Sequence, residues 1–163
     1  VCTLRPKSEG GLFTEQEDER KSILRLIAEY NPFLLDVEFN TIQKDKKLAM
    51  YLKKSKCKLL ISWHDFKKTP NESQLKSRFN KMRKFSNVVK IVTVAKNVSD
   101  ASRLLTLYSI KSKNKTVAFC MGDQGKFSRI LCLHLGSPFT YVSLGKAIAP
   151  GQFSVDEIKS LQN

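Results

Sequence analysis

Apolar residues along the chain fall into two alternating patterns. Short runs rich in Val, Ile and Leu recur as VCTLR (1–5), PFLLDVEF (32–39), KCKLLISW (56–63), VVKIVTVA (88–95), KTVAFCM (115–121) and PFTYVSL (138–144). Their length and composition suit strands buried on both faces of a parallel sheet. Between them, apolar residues recur at helical spacing. Segment 14–30 opens with Thr14 and Glu17 in capping-box spacing and continues with Ile23, Leu24, Leu26 and Ile27. Segment 41–54 carries Ile42, Leu48, Ala49 and Leu52, and segment 71–85 carries Leu75, Phe79 and Met82. Segment 98–110 carries Val98, Ala101, Leu104, Leu105 and Tyr108; segment 124–135 carries Phe127, Ile130, Leu131 and Leu135. A last helix is expected over 154–162, with Val155, Ile158 and Leu161.

Regular strand–helix alternation predicts an α/β fold with a parallel sheet and right-handed crossovers. An open doubly wound sheet often carries a Gly-rich first turn, and neither G-x-G-x-x-G nor a P-loop occurs here. A closed TIM (β/α)8 barrel takes eight units in about 200–250 residues. The 163 residues hold about six units. The expectation is therefore a single partial barrel domain over residues 1–163, with two further units belonging in front of Val1. Six units alone expose two strand edges and part of the core. A truncated, inactive barrel fragment is thus an alternative to a working enzyme.

Composition narrows the classes. The chain is 41% hydrophobic and 27% charged, ordinary globular usage. No apolar run is long enough to span a membrane, and no signal peptide is visible. The net charge is +14, with 29 Lys and Arg against 15 Asp and Glu. Residues 41–116 carry 20 basic and 4 acidic side chains, a net of +16; the rest carries 9 and 11, a net of −2. A basic nucleic-acid-binding module is the alternative this raises. The lysines fall as KDKK, KKSKCK and FKK around expected helices, the pattern of solvated helix faces, and no nucleic-acid-binding signature is present. Cys2, Cys57, Cys120 and Cys132 make no C-x-x-C pair and no zinc spacing, and read as small buried hydrophobes in a reducing cytosol. The sequons at Asn71, Asn97 and Asn114 read as chance matches.

In a barrel the chemistry stands at the C-terminal ends of the strands. The polar residues there are Arg5 and Glu9 after the first run, Asp36 and Glu38 within the second, His64 and Asp65 after the third, and Lys90 within the fourth. Gly122 and Arg129 (beside Met121) follow the fifth, and Gln152 follows the sixth. Lys90 shares one strand face with Val88, Val92 and Val94. Burial and neighbouring cations lower a lysine pKa and free the amine as a nucleophile; a snorkelling lysine near a strand end is the alternative. His64 is the natural acid–base group, with Glu9 to orient its ring, against a purely structural histidine. His134, between Leu133 and Leu135, reads as structural.

Five strings then carry a family resemblance: LRPKSEGG (4–11), ISWHDFKKTP (61–70), VVKIVTVAK (88–96), MGDQGKFSRI (121–130) and GSPFTYVSLG with APGQFS (136–154). In this order and spacing the chain resembles type I 3-dehydroquinate dehydratase, the Schiff-base lyase of the shikimate pathway. The resemblance implies a (β/α)8 barrel, a cytoplasmic homodimer, a small-molecule substrate, and no metal, cofactor, specific nucleic acid or membrane. By resemblance Lys90 is the Schiff-base lysine, His64 the acid–base histidine and Glu9 the carboxylate that holds it. Arg129 is then the grip on the substrate carboxylate and a second positive charge near Lys90. Arg5 and Gln152 become hydroxyl ligands, and Met121, Phe66 and Tyr141 apolar walls. The sequence departs in two places: a Glu-x-Arg pair of the family's opening strand is absent, and Ile148 stands where a Ser or Thr is usual.

Overall fold

The computed structural model describes residues 1–145 and 147–161. In chain order the elements are β1 (Cys2–Thr3), α1 (Glu17–Glu29), β2 (Leu35–Glu38), α2 (Phe39–Lys44), α3 (Lys46–Lys54), β3 (Leu59–Asp65), α4 (Glu72–Met82), β4 (Val88–Val94), α5 (Val98–Leu105), β5 (Lys115–Met121), α6 (Ser128–His134) and α7 (Val155–Ser160). The five strands form one parallel sheet in the order β1-β2-β3-β4-β5. Each strand lies beside its predecessor with no reversal of direction across the sheet. That order belongs to a barrel-type winding; a doubly wound sheet changes direction at a switch point.

Alternation along each strand sorts the side chains between two layers. One face sends Leu35, Val37, Leu59, Ile61, Trp63, Val89, Ile91, Ala118 and Cys120 outward into the helices, where they pack with Leu24, Leu48, Leu52, Leu75, Phe79 and Leu104. The other face carries Asp36, Glu38, Ser62, His64, Lys90, Val92, Val117, Phe119 and Met121. Register places Glu38 beside Ser62, Ser62 beside Lys90, and Lys90 beside Val117. One row of the inner face is therefore polar at the β2 side and apolar at the β5 side.

The sixth expected strand is a correction. Run 138–144 forms only an isolated parallel bridge between Ser143 and Ser154. The outer edge of β5 is already occupied. The Tyr108 hydroxyl accepts from the Ala118 N–H at 2.8 Å and donates to the Ala118 carbonyl at 3.1 Å, and Ser128 Oγ accepts from the Cys120 N–H at 2.8 Å. Main-chain groups that a sixth strand would take are thus held by side chains. Phe139 and Tyr141 instead fold back against Phe119.

Helix ends differ from the periodic reading for local reasons. The expected box at Thr14 does not form: α1 starts at Glu17 with Gln16 as its N-cap, and the Glu17 carboxylate is engaged by Arg20. Segment 41–54 breaks at Asp45, whose carboxylate accepts from the Leu48 N–H at 2.9 Å and starts α3. Capping boxes form instead at Asn71 with Gln74 and at Ser154 with Glu157. The last helix buries no residue, and position 162 of its expected span lies outside the described residues. Cys57, Cys120 and Cys132 are buried as expected, whereas Cys2 is exposed; all four are free thiols.

The helix layer supplies the stability test. Phe79 on α4 is wholly buried, so Phe79→Ala is expected to cost about 3–5 kcal/mol in urea unfolding. Leu144→Ser, at a position almost fully exposed, is expected to stay within about 0.5 kcal/mol.

Candidate active site

The polar end of the inner face is built on β2, β3 and β4. Asp36 and Glu38 stand two residues apart on β2 and are both buried. Arg5, just beyond β1, lies between them: Nη2 donates to Asp36 Oδ2 at 2.6 Å and Nη1 to Glu38 Oε1 at 3.1 Å. Arg5 Nη1 also reaches Ser62 Oγ at 3.1 Å, and Ser62 donates to Asp36 Oδ1. Lys90 Nζ donates to Asp36 Oδ2 at 3.2 Å, sharing that oxygen with Arg5. Burial drives the Asp36 carboxyl up, yet Lys90, Arg5 and the Ser62 hydroxyl together hold it below the usual carboxylate range. Burial is the larger influence on Lys90 and lowers its pKa; Asp36 opposes this and Arg5 adds to it. Burial likewise raises Glu38 against the pull of Arg5 and Arg20.

His64 sits near the end of β3, and Glu9 comes from a 3-10 turn over Lys7–Glu9. Glu9 Oε1 accepts from Asn40 Nδ2 at 2.9 Å, and its Oε2 lies 3.5 Å from His64 Nδ1. Arg5 Nη1 is closer, 3.2 Å from the same nitrogen. A guanidinium only donates, so in this arrangement Nδ1 is an acceptor and the ring hydrogen is on Nε2. Burial, then the charges of Lys90 and Arg5, push the imidazole down to about 2. Burial and the neighbouring Glu38 push the Glu9 carboxyl up to about 7. The turn carrying Glu9 closes on Gly10 at φ 80°, and a Cβ there would come within 2.5 Å of the Phe66 ring. Glycine is what lets the turn lie against Phe66, whose ring stacks on His64 with centroids 5.9 Å apart.

The apolar end lies toward β5. The Tyr141 ring lies 4.4 Å from Lys90 Nζ, and Phe119 packs beside Tyr141. The Arg129 guanidinium, from α6, is buried 4.5 Å from the Phe119 ring centre. Its Nη2 donates to the Pro150 carbonyl at 3.3 Å, while its Nε has no partner among the described residues. Burial lowers its pKa to about 10. Gln152 Oε1 accepts from the N–H groups of Ile148 and Ala149, at 2.9 and 3.3 Å, and the Gly122 N–H binds the Pro150 carbonyl. Gly151, at φ 70°, lies so close to Gly122 that a Cβ would meet its carbonyl at 2.7 Å. The 148–152 loop is thereby fastened to the end of β5.

The sequence-predicted residues divide accordingly. Lys90, His64, Glu9 and Arg5 come together around Asp36. Met121, Tyr141 and Arg129 line the β5 side. Arg5 is committed to protein carboxylates rather than standing free, the Gln152 carbonyl oxygen holds its own loop, and Phe66 forms a half-exposed rim. The cation bearing on Lys90 is Arg5, where the resemblance pointed to Arg129. Sequence reading placed Asp36 and Glu38 without giving them a role; their alternation with Leu35 and Val37 was the available signal. Arg20 was missed, hidden in a helix rich in both charges. Among the described residues, no group of three or more His, Cys, Asp and Glu is placed to hold a metal.

This constellation sits in a chain whose residues 1–163 match the family pattern described as type I 3-dehydroquinase. The chain belongs to that family. It is 40% identical to the 3-dehydroquinate dehydratase of Pyrobaculum aerophilum over 158 residues, 96% of this chain and 50% of that protein. It is 37% identical to the 3-dehydroquinate dehydratase of Dehalococcoides mccartyi over 161 residues, 97% of this chain and 72% of that protein. Among solved structures, the type I 3-dehydroquinate dehydratase of Clostridium difficile with covalent modified comenic acid matches at a TM-score of 0.86 and 27% identity. That match covers 98% of this chain and 65% of that one. The Aquifex aeolicus 3-dehydroquinate dehydratase matches at 0.80 and 29%, covering 98% and 70%. The chain thus spans between half and about three quarters of these type I 3-dehydroquinase relatives. It shares their barrel-type α/β fold over that part.

Glu9 and His64 make opposite contributions to stability. Glu9 binds its proton more tightly in the folded state, so from about 4.5 to 7 its contribution falls as pH rises. His64 binds its proton less tightly when folded, so from about 2 to 6.5 its contribution grows as pH rises. Glu9→Gln removes the opposing arm. Its Tm is expected to climb more steeply than the parent's between about pH 4.5 and 6.5. Parallel Tm profiles would mean that Glu9 titrates as an ordinary carboxylate.

Proposed function

We propose that this site dehydrates 3-dehydroquinate to 3-dehydroshikimate through a Schiff base on Lys90. The observation that carries the reading is a buried strand lysine, paired to Asp36 and close to an uncharged histidine, in a chain of the type I 3-dehydroquinase family. Burial and Arg5 favour the neutral amine, which attacks the substrate ketone. Taking up a proton, which the final hydrolysis returns, the carbinolamine loses its hydroxyl as water and gives an iminium. Its positive charge lies where the ammonium charge lay, near Asp36 and over the Tyr141 ring, so the site is organised for it in advance.

The iminium acidifies the neighbouring C–H, and His64 takes the proton to leave an enamine. For Nε2 to act as the base, the ring hydrogen must move to Nδ1 and point at Glu9. Glu9 Oε2 lies 3.5 Å away, without a hydrogen-bond partner among the described residues, ready to receive it. Arg5 gives up its contact with Nδ1 in that step and turns to a substrate hydroxyl. The imidazolium then protonates the departing hydroxyl, and water hydrolyses the imine to release product and free Lys90. The unpartnered Nε of Arg129 supplies a buried donor for the substrate carboxylate. The cytoplasmic homodimer implied by the resemblance belongs to the same reading.

Borohydride added with 3-dehydroquinate is expected to fix one substrate-derived adduct on Lys90, found by intact mass and peptide mapping, with none in Lys90→Met. His64→Ala is expected to lower kcat by roughly 10²–10⁴-fold. A sample with a cooperative thermal transition and no adduct would overturn the reading for this chain.

A further inference from the structure

Arg20 springs from α1, in the helix layer, yet its side chain is wholly buried and reaches the candidate site from behind. Nε and Nη2 donate to the two oxygens of Glu17 at 2.8 and 2.7 Å. Nη1 donates to Glu38 Oε2 at 2.6 Å and to the Leu4 carbonyl at 2.9 Å, and Nη2 also donates to Thr41 Oγ1. Two of these contacts bear on Arg5. Leu4 precedes it in the chain, so the carbonyl bond fixes the main chain from which Arg5 extends. Glu38 is shared: one oxygen receives Arg20 and the other receives Arg5. Arg5 in turn meets His64 Nδ1, and meets the Asp36 oxygen that also receives Lys90.

We infer that Arg20 is a positioning residue: by holding Glu38 and Leu4 it keeps Arg5 aimed at Asp36 and His64, and so sets both the resting tautomer of the imidazole and the place from which Arg5 turns to the substrate hydroxyl. Its catalytic consequence rests on the dehydratase reading; the contact chain does not. A buried carboxylate left with one cation draws that cation onto both oxygens, because a guanidinium is a planar fork that suits bidentate pairing. Without Arg20, Arg5 turns toward Glu38 and leaves Nδ1. Glu17 and Thr41 act one step further out, by orienting the Arg20 fork.

The chain holds two histidines, so 15N-histidine labelling gives a spectrum of His64 and His134 alone. His134, on α6 and away from this network, serves as the internal reference. The parent is expected to show a His64 Nδ1 that accepts, with the hydrogen on Nε2. In Arg20→Lys and Arg20→Met the His64 nitrogen shifts are expected to move toward the other tautomer while His134 stays put. Glu17→Gln, which keeps the Arg20 charge and alters a half-exposed partner, is expected to give a smaller movement of the same sign. With turnover measured alongside, kcat is expected to fall by about 10–100-fold in Arg20→Lys, because an Arg5 drawn onto both Glu38 oxygens no longer reaches the substrate hydroxyl, with KM changing by less than about threefold. A folded Arg20→Lys or Glu17→Gln protein with a lowered Tm but unmoved His64 shifts would overturn the inference and leave Arg20 as a structural tie. A parent without turnover whose His64 shifts still respond to Arg20→Lys would sink the dehydratase reading and uphold the positioning role.

Discussion

Two carboxylates on one short strand cannot remain buried without cations, and the C-terminal end of the sheet is arranged around that need. Asp36 takes Arg5 and Lys90; Glu38 takes Arg5 and Arg20. Removing water from a charge costs several kcal/mol even after relaxation, and stripping one partner from a buried pair costs about 3–5 kcal/mol. The cluster tolerates burial because each carboxylate meets two cations and the second Asp36 oxygen accepts from the Ser62 hydroxyl. Arg5 is common to both halves, so the β2 carboxylates, the histidine and the lysine form one electrostatic unit. On the proposed reaction, that unit makes the site's polarity a property of the fold, fixed before substrate arrives.

Most of the fold was legible because strands here are local apolar runs. The centres of β2, β3, β4 and β5 fall inside the runs read from the sequence, and barrel-type winding followed from their regular alternation with helices. What failed was decided by partners distant in sequence. Run 138–144 has the composition of a strand, but pairing depends on what already occupies the β5 edge, and Tyr108 lies some thirty residues upstream in a segment read as plain helix. Thr14 and Glu17 have the spacing of a cap, but the helix begins with Gln16 as its N-cap, and the Glu17 carboxylate binds Arg20. The break at Asp45 had a local signal, an Asp before a helical stretch, which continuous periodicity across 41–54 obscured.

The site was legible to the depth that strand alternation allows. Lys90 between valines, and His64 at a run's end, mark themselves. The roles of Arg5 and Gln152 do not, because whether a polar side chain is free for a ligand or bound to its own protein depends on contacts that the local pattern does not encode. Of the basic strings expected around helices, Lys44, Lys46, Lys47, Lys53 and Lys54 lie on α2 and α3, whereas Lys56 and Lys58 lie in the connection leading into β3.

The edge of β5 has a consequence of another kind. A parallel sheet with a bare edge is a template for any extended segment, from the same chain or another copy. Here the outward main-chain groups of Ala118 and one of Cys120 are held by two hydroxyls, on Tyr108 and Ser128. A hydroxyl on a rotatable bond is a latch, not a wall. It satisfies the edge as well as a strand would, yet yields by a side-chain rotation, without any refolding of the sheet. The edge of β5 is therefore closed by side chains alone, and the strand it borders is the one that carries Lys90 of the charged cluster.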